Sequence, residues 1–164
     1  MTPAPAPLAE VHRGPFAESQ HLGHIVVHDG VDVVQAWGDP GAVVLPRSSA
    51  KMIQALPLLT SGAAEAQGLT DRQLALACAS HQGAPLHVDL VRSWLAELSL
   101  SEADLRCGPQ PSRDKDLRFA MIREGVTPCQ VHNNCSGKHT GFLTLARHLG
   151  ADPEYLEIDH PVQA

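Results

Sequence analysis

The apolar residues of this chain fall in β-rich runs before Pro46 and at helical spacing after Ser48. His24-Ile-Val-Val-His28 and Val31-Asp-Val-Val-Gln-Ala-Trp37 flank Asp29-Gly30, and two such runs around Asp-Gly predict a hairpin. Val43-Val-Leu45 reads as a third short strand stopped by Pro46. From Ser48 the period changes. Met52, Ile53, Leu56 and Leu59 mark a helix face, with Ser48 as its N-cap and Pro57 placed to kink or shorten it. Thr70-Asp-Arg-Gln73 is a capping box opening a second helix toward Ser80. Val88, Val91, Trp94, Leu95 and Leu98 mark a third, and Leu117, Met121 and Ile122 a fourth, ended by Gly125. Lys138 to Leu149 is a fifth, closed by Gly150. The pattern predicts an α+β fold, with a hairpin-based antiparallel sheet and several helices.

The two ends fit this picture less well. Alternating prolines over Met1-Thr-Pro-Ala-Pro-Ala-Pro-Leu8 predict a disordered lead over residues 1–20, ahead of one domain over 21–164. Asp159-His-Pro-Val-Gln-Ala164 has a capping candidate and an early proline, yet no helix follows. A frayed tail and a truncation both account for that.

Composition narrows the classes. The hydrophobic share is 43% and the charged share 18% across 164 residues, enough apolar material for a packed core. Twelve basic against eighteen acidic residues give a formal charge of -6, which argues against a nucleic-acid partner. No apolar run approaches the roughly eighteen residues that span a bilayer, so no membrane partner is expected. The N-terminus lacks the basic and apolar regions of a signal peptide. Cys78, Cys107, Cys129 and Cys135 then read as free thiols or metal ligands in a cytoplasmic protein.

Three segments could carry chemistry. In Arg47-Ser-Ser-Ala-Lys51, Ser48 and Lys51 share a helix face three residues apart. A serine is a poor nucleophile until a base takes its proton, and a lysine is such a base only where its surroundings disfavour the charged form. The helix start would add partial positive charge for an oxyanion. Ser-x-x-Lys also arises by chance, as a capping serine followed by a solvated lysine. The Ser-Asp-Asn and Lys-Thr-Gly companions of the penicillin-reactive enzymes are absent. Ala77-Cys-Ala-Ser-His-Gln-Gly83 could present Ser80 and His81 at a cleft, or be an ordinary helix end with Gly83 as its cap. His132-Asn-Asn-Cys-Ser-Gly-Lys-His139 gathers thiol, amine and imidazole before an apolar helix. It suits a metal, an activated nucleophile or a structural turn. Cys129, His132, Cys135 and His139 also form a Cys/His string similar to a closed zinc site.

Taken together, Arg47-Ser-Ser-Ala-Lys51, Ala79-Ser-His-Gln-Gly83 with His87, and Asn134-Cys-Ser-Gly-Lys-His139 resemble the Rhizobium-type L-asparaginase family, the inducible, thermolabile class. The resemblance runs from the hairpin near His24 to His160-Pro-Val-Gln163. It implies a serine β-lactamase-like fold, here incomplete, and hydrolysis of L-asparagine to L-aspartate and ammonia. It implies catalytic roles for Ser48 and Lys51, with Ser48 as nucleophile, and for Ser80 in a second pair whose lysine lies later in family sequences. Arg47, His81 and His139 are assigned to substrate binding. Cys135 and Lys138 are implied ligands of a zinc ion completed by a later cysteine. Family members continue past position 164, so the chain matches an N-terminal part, with a complementary C-terminal chain or a homodimer as partner. The alternative is a non-catalytic remnant that binds a metal or a partner.

Overall fold

The computed structural model describes residues 3–163; Met1 and Thr2 of the expected lead, and Ala164 of the tail, lie outside them. The chain divides into two units, Met1–Leu45 and Pro46–Ala164, each considered by itself.

The first unit holds two antiparallel hairpins. Strand β1 (Ala6–Arg13) pairs with β2 (Phe16–Gly23), with Arg13 opposite Phe16. Where the sequence pattern predicts a disordered lead over residues 1–20, the described residues from Ala6 onward are paired strand. The alternating prolines end at Pro7, in an edge strand, where a proline is tolerated. Beyond it Gly14-Pro15 makes a two-residue loop, with Gly14 at φ 60, a backbone that glycine adopts without strain. Arg13 reaches Glu18, and Gln20 donates to Glu10 across the pair at 2.9 Å. The predicted second hairpin is present as β3 (Ile25–His28) and β4 (Val33–Trp37). Its turn is held by Asp29 Oδ1, which accepts from the N–H groups of Val31 and Asp32, both at 2.8 Å. Val43-Val-Leu45 forms no strand. No described residue of this unit is buried.

The second unit is helical: α1 (Lys51–Thr60), α2 (Ala63–Gln67), α3 (Asp71–Cys78), α4 (Pro85–Glu97), α5 (Lys115–Glu124) and α6 (Ser136–His148). Pro57 lies inside α1, which ends within three residues of it. A 3₁₀ turn over Arg47–Ala50 leads into α1, so Ser48 is not its N-cap; no side chain caps either start. The Thr70 capping box is formed in both directions, with Thr70 N–H donating to Gln73 Oε1 at 2.8 Å. Gly125 ends α5 in the left-handed conformation.

Helix α6 is the centre of this unit and packs on α1, α2, α3 and α4. Two glycines allow the close approach. A Cβ on Gly137 would lie 2.6 Å from both Cγ and the carbonyl oxygen of Leu76, and one on Gly141 would lie 3.1 Å from Leu58 Cδ1. Val91, Trp94 and Leu95 of α4 and Leu143 of α6 are sealed in the core. The third predicted helix therefore buries the face its pattern indicated. Helix α1 does the reverse. Met52 and Ile53 are 66% and 69% exposed, while Lys51 and Leu58, seven residues apart, point inward. The described residues of the tail are tied back. His160 Nε2 donates to the Asp152 carbonyl at 2.8 Å, and Gln163 Nε2 to that of Tyr155 at 2.6 Å.

Candidate active site

The three motifs meet at one ammonium group. Lys51, first residue of α1, is 2% exposed. Its Nζ lies 2.6 Å from the Ala79 carbonyl, 2.9 Å from Ser80 Oγ and 3.1 Å from the Asn134 carbonyl. Those acceptors match the three donors of an ammonium. As a free amine the same group would donate to the two carbonyls and accept the Ser80 hydroxyl proton. The geometry serves both ends of a proton transfer. The hydroxyl bonded to Lys51 is that of Ser80, twenty-nine residues away, rather than that of its sequence neighbour Ser48.

Ser48 stands beside this group in an open cleft of about 280 Å³ lined by Arg47, Ser48, Lys51, Gln54, Cys135 and Lys138. The volume lies near the lower end of ligand pockets, about 300 Å³, on the scale of an amino acid. Three lining residues are basic and none is acidic, which suits a substrate carboxylate and an oxyanion. Arg47 has φ 48, a left-handed conformation that costs a non-glycine residue about 1 kcal/mol or more and concentrates at functional sites. Gln54 had no motif to mark it; its only signal is the three-residue step from Lys51 on the same helix.

The loop carrying Ser80 is stitched to the loop before α6. His81 N–H donates to the Asn134 carbonyl at 3.2 Å. The His81 ring accepts from Gly83 N–H at Nδ1, 3.0 Å, and so donates from Nε2 to Ser136 Oγ at 2.9 Å; that hydroxyl donates to the Val131 carbonyl at 3.0 Å. Gly83 has φ 68, and a Cβ there would lie 2.7 Å from the His132 carbonyl. His81 is 4% exposed with both nitrogens engaged. It braces the loop, its one ring donor being given to Ser136. Burial first, then His87 and Lys51, push it down to about 4, so it is neutral.

Of the Cys/His string read as a zinc site, Cys129 and His132 meet, with Sγ 3.2 Å from Nδ1, while His139 turns to Tyr155. His132 Nδ1 accepts from Cys129 N–H at 3.1 Å, and His139 Nδ1 meets Tyr155 Oη at 2.8 Å. Among the described residues no group of three or more His, Cys, Asp or Glu is placed to hold a metal ion. Cys135 and Lys138 do share the cleft, three residues apart. Two donors fall short of the three or four protein ligands zinc takes, so the residues present do not make a zinc site by themselves. Lys138 Nζ lies 5.2 Å from the centre of the Phe142 ring. Burial, the largest influence, lowers its affinity for the proton; Cys135 opposes this and Lys51 adds to it.

The thiols of Cys107 and Cys129 are held protonated. Burial pushes Cys107 up to about 11. Burial and then the neighbouring Glu102, 3.1 Å from its sulfur, raise Cys129. All four cysteines are free, and no described helix is long and apolar enough to cross a membrane.

With this geometry in hand, the family model for L-asparaginase II matches residues 9–164. A search of the curated proteins finds no match to the chain.

Proposed function

The chain belongs to the L-asparaginase II family, and from that premise we propose that it hydrolyses the side-chain amide of L-asparagine through a serine activated by Lys51. Membership puts it among the amidohydrolases, with L-asparagine as the family's substrate. In the proposed reaction Ser48 Oγ attacks the amide carbon while Lys51 takes the hydroxyl proton. The tetrahedral adduct expels ammonia, to which Lys51 returns the proton. Water then cleaves the acyl–serine ester and releases aspartate. Arg47 and Lys138 supply positive charge for the substrate's α-carboxylate and the oxyanion. Cys135 enters as a wall of the cleft.

The observation that carries this reading is the buried Lys51 amine, which lines the cleft of Ser48 and bonds to a second hydroxyl at 2.9 Å. That same bond favours a second reading, in which Ser80 is the attacking hydroxyl. A base must reach the proton it takes, and Ser80 meets that condition without rearrangement. Ser48→Ala and Ser80→Ala, assayed side by side for ammonia release from asparagine, separate the two. The first reading expects Ser48→Ala to lose about 10⁴-fold or more in kcat, with an acyl adduct trapped on Ser48 by mass spectrometry. An adduct on Ser80 decides for the second. Zinc or partner binding without any turnover would favour the non-catalytic alternative.

A further inference from the structure

Tyr155 sits in the turns after α6, in no motif, and is fully buried. Its hydroxyl has two neighbours at the same distance: the backbone N–H of Arg106 and Nδ1 of His139, each at 2.8 Å. A backbone amide can only donate, so the phenol oxygen accepts from Arg106. Its own buried hydrogen has no other acceptor among the described residues, so it goes to Nδ1 of His139. A neutral imidazole has one protonated nitrogen, which places the proton of His139 on Nε2. That Nε2 has no protein hydrogen-bond partner among the described residues. Nor is it sealed: the buried side-chain nitrogens without a partner are His87 Nδ1 and Trp94 Nε1.

The surroundings hold this arrangement firmly. His139, Phe142 and Tyr155 form an aromatic trio with ring centres 5.5 to 5.7 Å apart. The Arg106 guanidinium pairs with Glu154, the residue before Tyr155, with Nε at 3.1 Å from Oε2. The Tyr155 carbonyl is tied to Gln163. Position 139 directly follows Lys138, which lines the cleft.

We infer that Tyr155 is a positioning residue: it fixes His139 as the Nε2–H tautomer, so that His139 offers a fixed N–H donor to an oxygen of the amide substrate. The use of that donor on asparagine rests on the function proposed above; the tautomer does not. With Nδ1 accepting from Tyr155, the donor is a single N–H rather than an imidazolium.

Long-range ¹H–¹⁵N correlation spectra of the full chain test the tautomer without any activity. The expected result is an Nε2–H pattern for His139 in the wild type and a mixed or reversed pattern in Tyr155→Phe. An Nδ1–H pattern in the wild type overturns the inference, even if Tyr155→Phe fails to fold. Steady-state kinetics test the use. Tyr155→Phe should raise KM for asparagine about tenfold with kcat within about threefold, one hydrogen bond being worth roughly 1.4 kcal/mol or less. Gln at position 139 keeps a donor near the Nε2 position. In a His139→Gln background, therefore, Tyr155→Phe should leave KM unchanged. An equal KM increase in both backgrounds would mean that Tyr155 does not act through His139. If the wild type shows the Nε2–H tautomer but releases no ammonia, the asparagine reading fails while the tautomer assignment stands.

Discussion

The two units of this chain are built on opposite terms. In Met1–Leu45 two hairpins hold their register through loop chemistry and cross-strand polar pairs, and none of the described residues is buried. In Pro46–Ala164 the helices hold one another through a sealed core, and the Lys51 amine buried beside it is held by two carbonyls and the Ser80 hydroxyl. A two-stranded hairpin is marginal by itself, whereas a core makes position exact enough for chemistry. The comparison explains why the motif residues all fall in the second unit. A buried lysine needs acceptors at fixed distances, and only packed elements supply them.

The sharpest way to break the contrast is at Gly137. An alanine there brings Cβ to 2.6 Å from Leu76, backbone carbonyl included, so α3 and α6 must part. The expected loss is about 3 kcal/mol in urea unfolding, together with any activity. Gly14→Ala in the first hairpin meets nothing within 4 Å but must hold φ 60. It should cost about 1 kcal/mol of local hairpin stability, read by amide exchange, and leave the helical unfolding transition in place.

Acid should act on the helical unit through its buried histidines. His81 and His139 are pushed down to about 4 and about 3 from 6.5. Below pH 6.5 the unfolded chain binds protons that the folded chain refuses, so stability falls as pH falls from 6.5 toward 4. The slope is on the order of 1 kcal/mol per pH unit for each histidine. Thermal unfolding by far-UV circular dichroism should show the midpoint dropping across that window, and less so in His139→Gln. A flat profile would mean that neither ring stays neutral in the fold. The smallest effect is expected on the hairpin face. Val33→Thr, at a residue 48% exposed, should change stability by less than about 0.5 kcal/mol.

What the sequence made legible follows the same division. The Asp29-Gly30 turn, the Thr70 capping box and the Val88–Leu98 stripe each carry a local physical signal, and each element is found. The first hairpin was hidden because its leading prolines read as disorder. Periodicity identified α1 as a helix but pointed to the wrong face, since an apolar stripe does not say which side meets the core. Lys51 is inward because Ala79, Ser80 and Asn134 hold its amine, a bond pattern spanning 28 to 83 residues. Tyr155 carries no period and no motif; only its two 2.8 Å contacts reveal it.

In the proposed function the Lys51 amine is the base of an asparagine amidohydrolase. Ammonia release from L-asparagine by the wild type and by Lys51→Met, with folding of both checked by circular dichroism, tests it most directly. Turnover is expected in the wild type, with a loss of about 10³-fold or more in a folded Lys51→Met protein. A folded Lys51→Met protein that retains activity within about tenfold would contradict it.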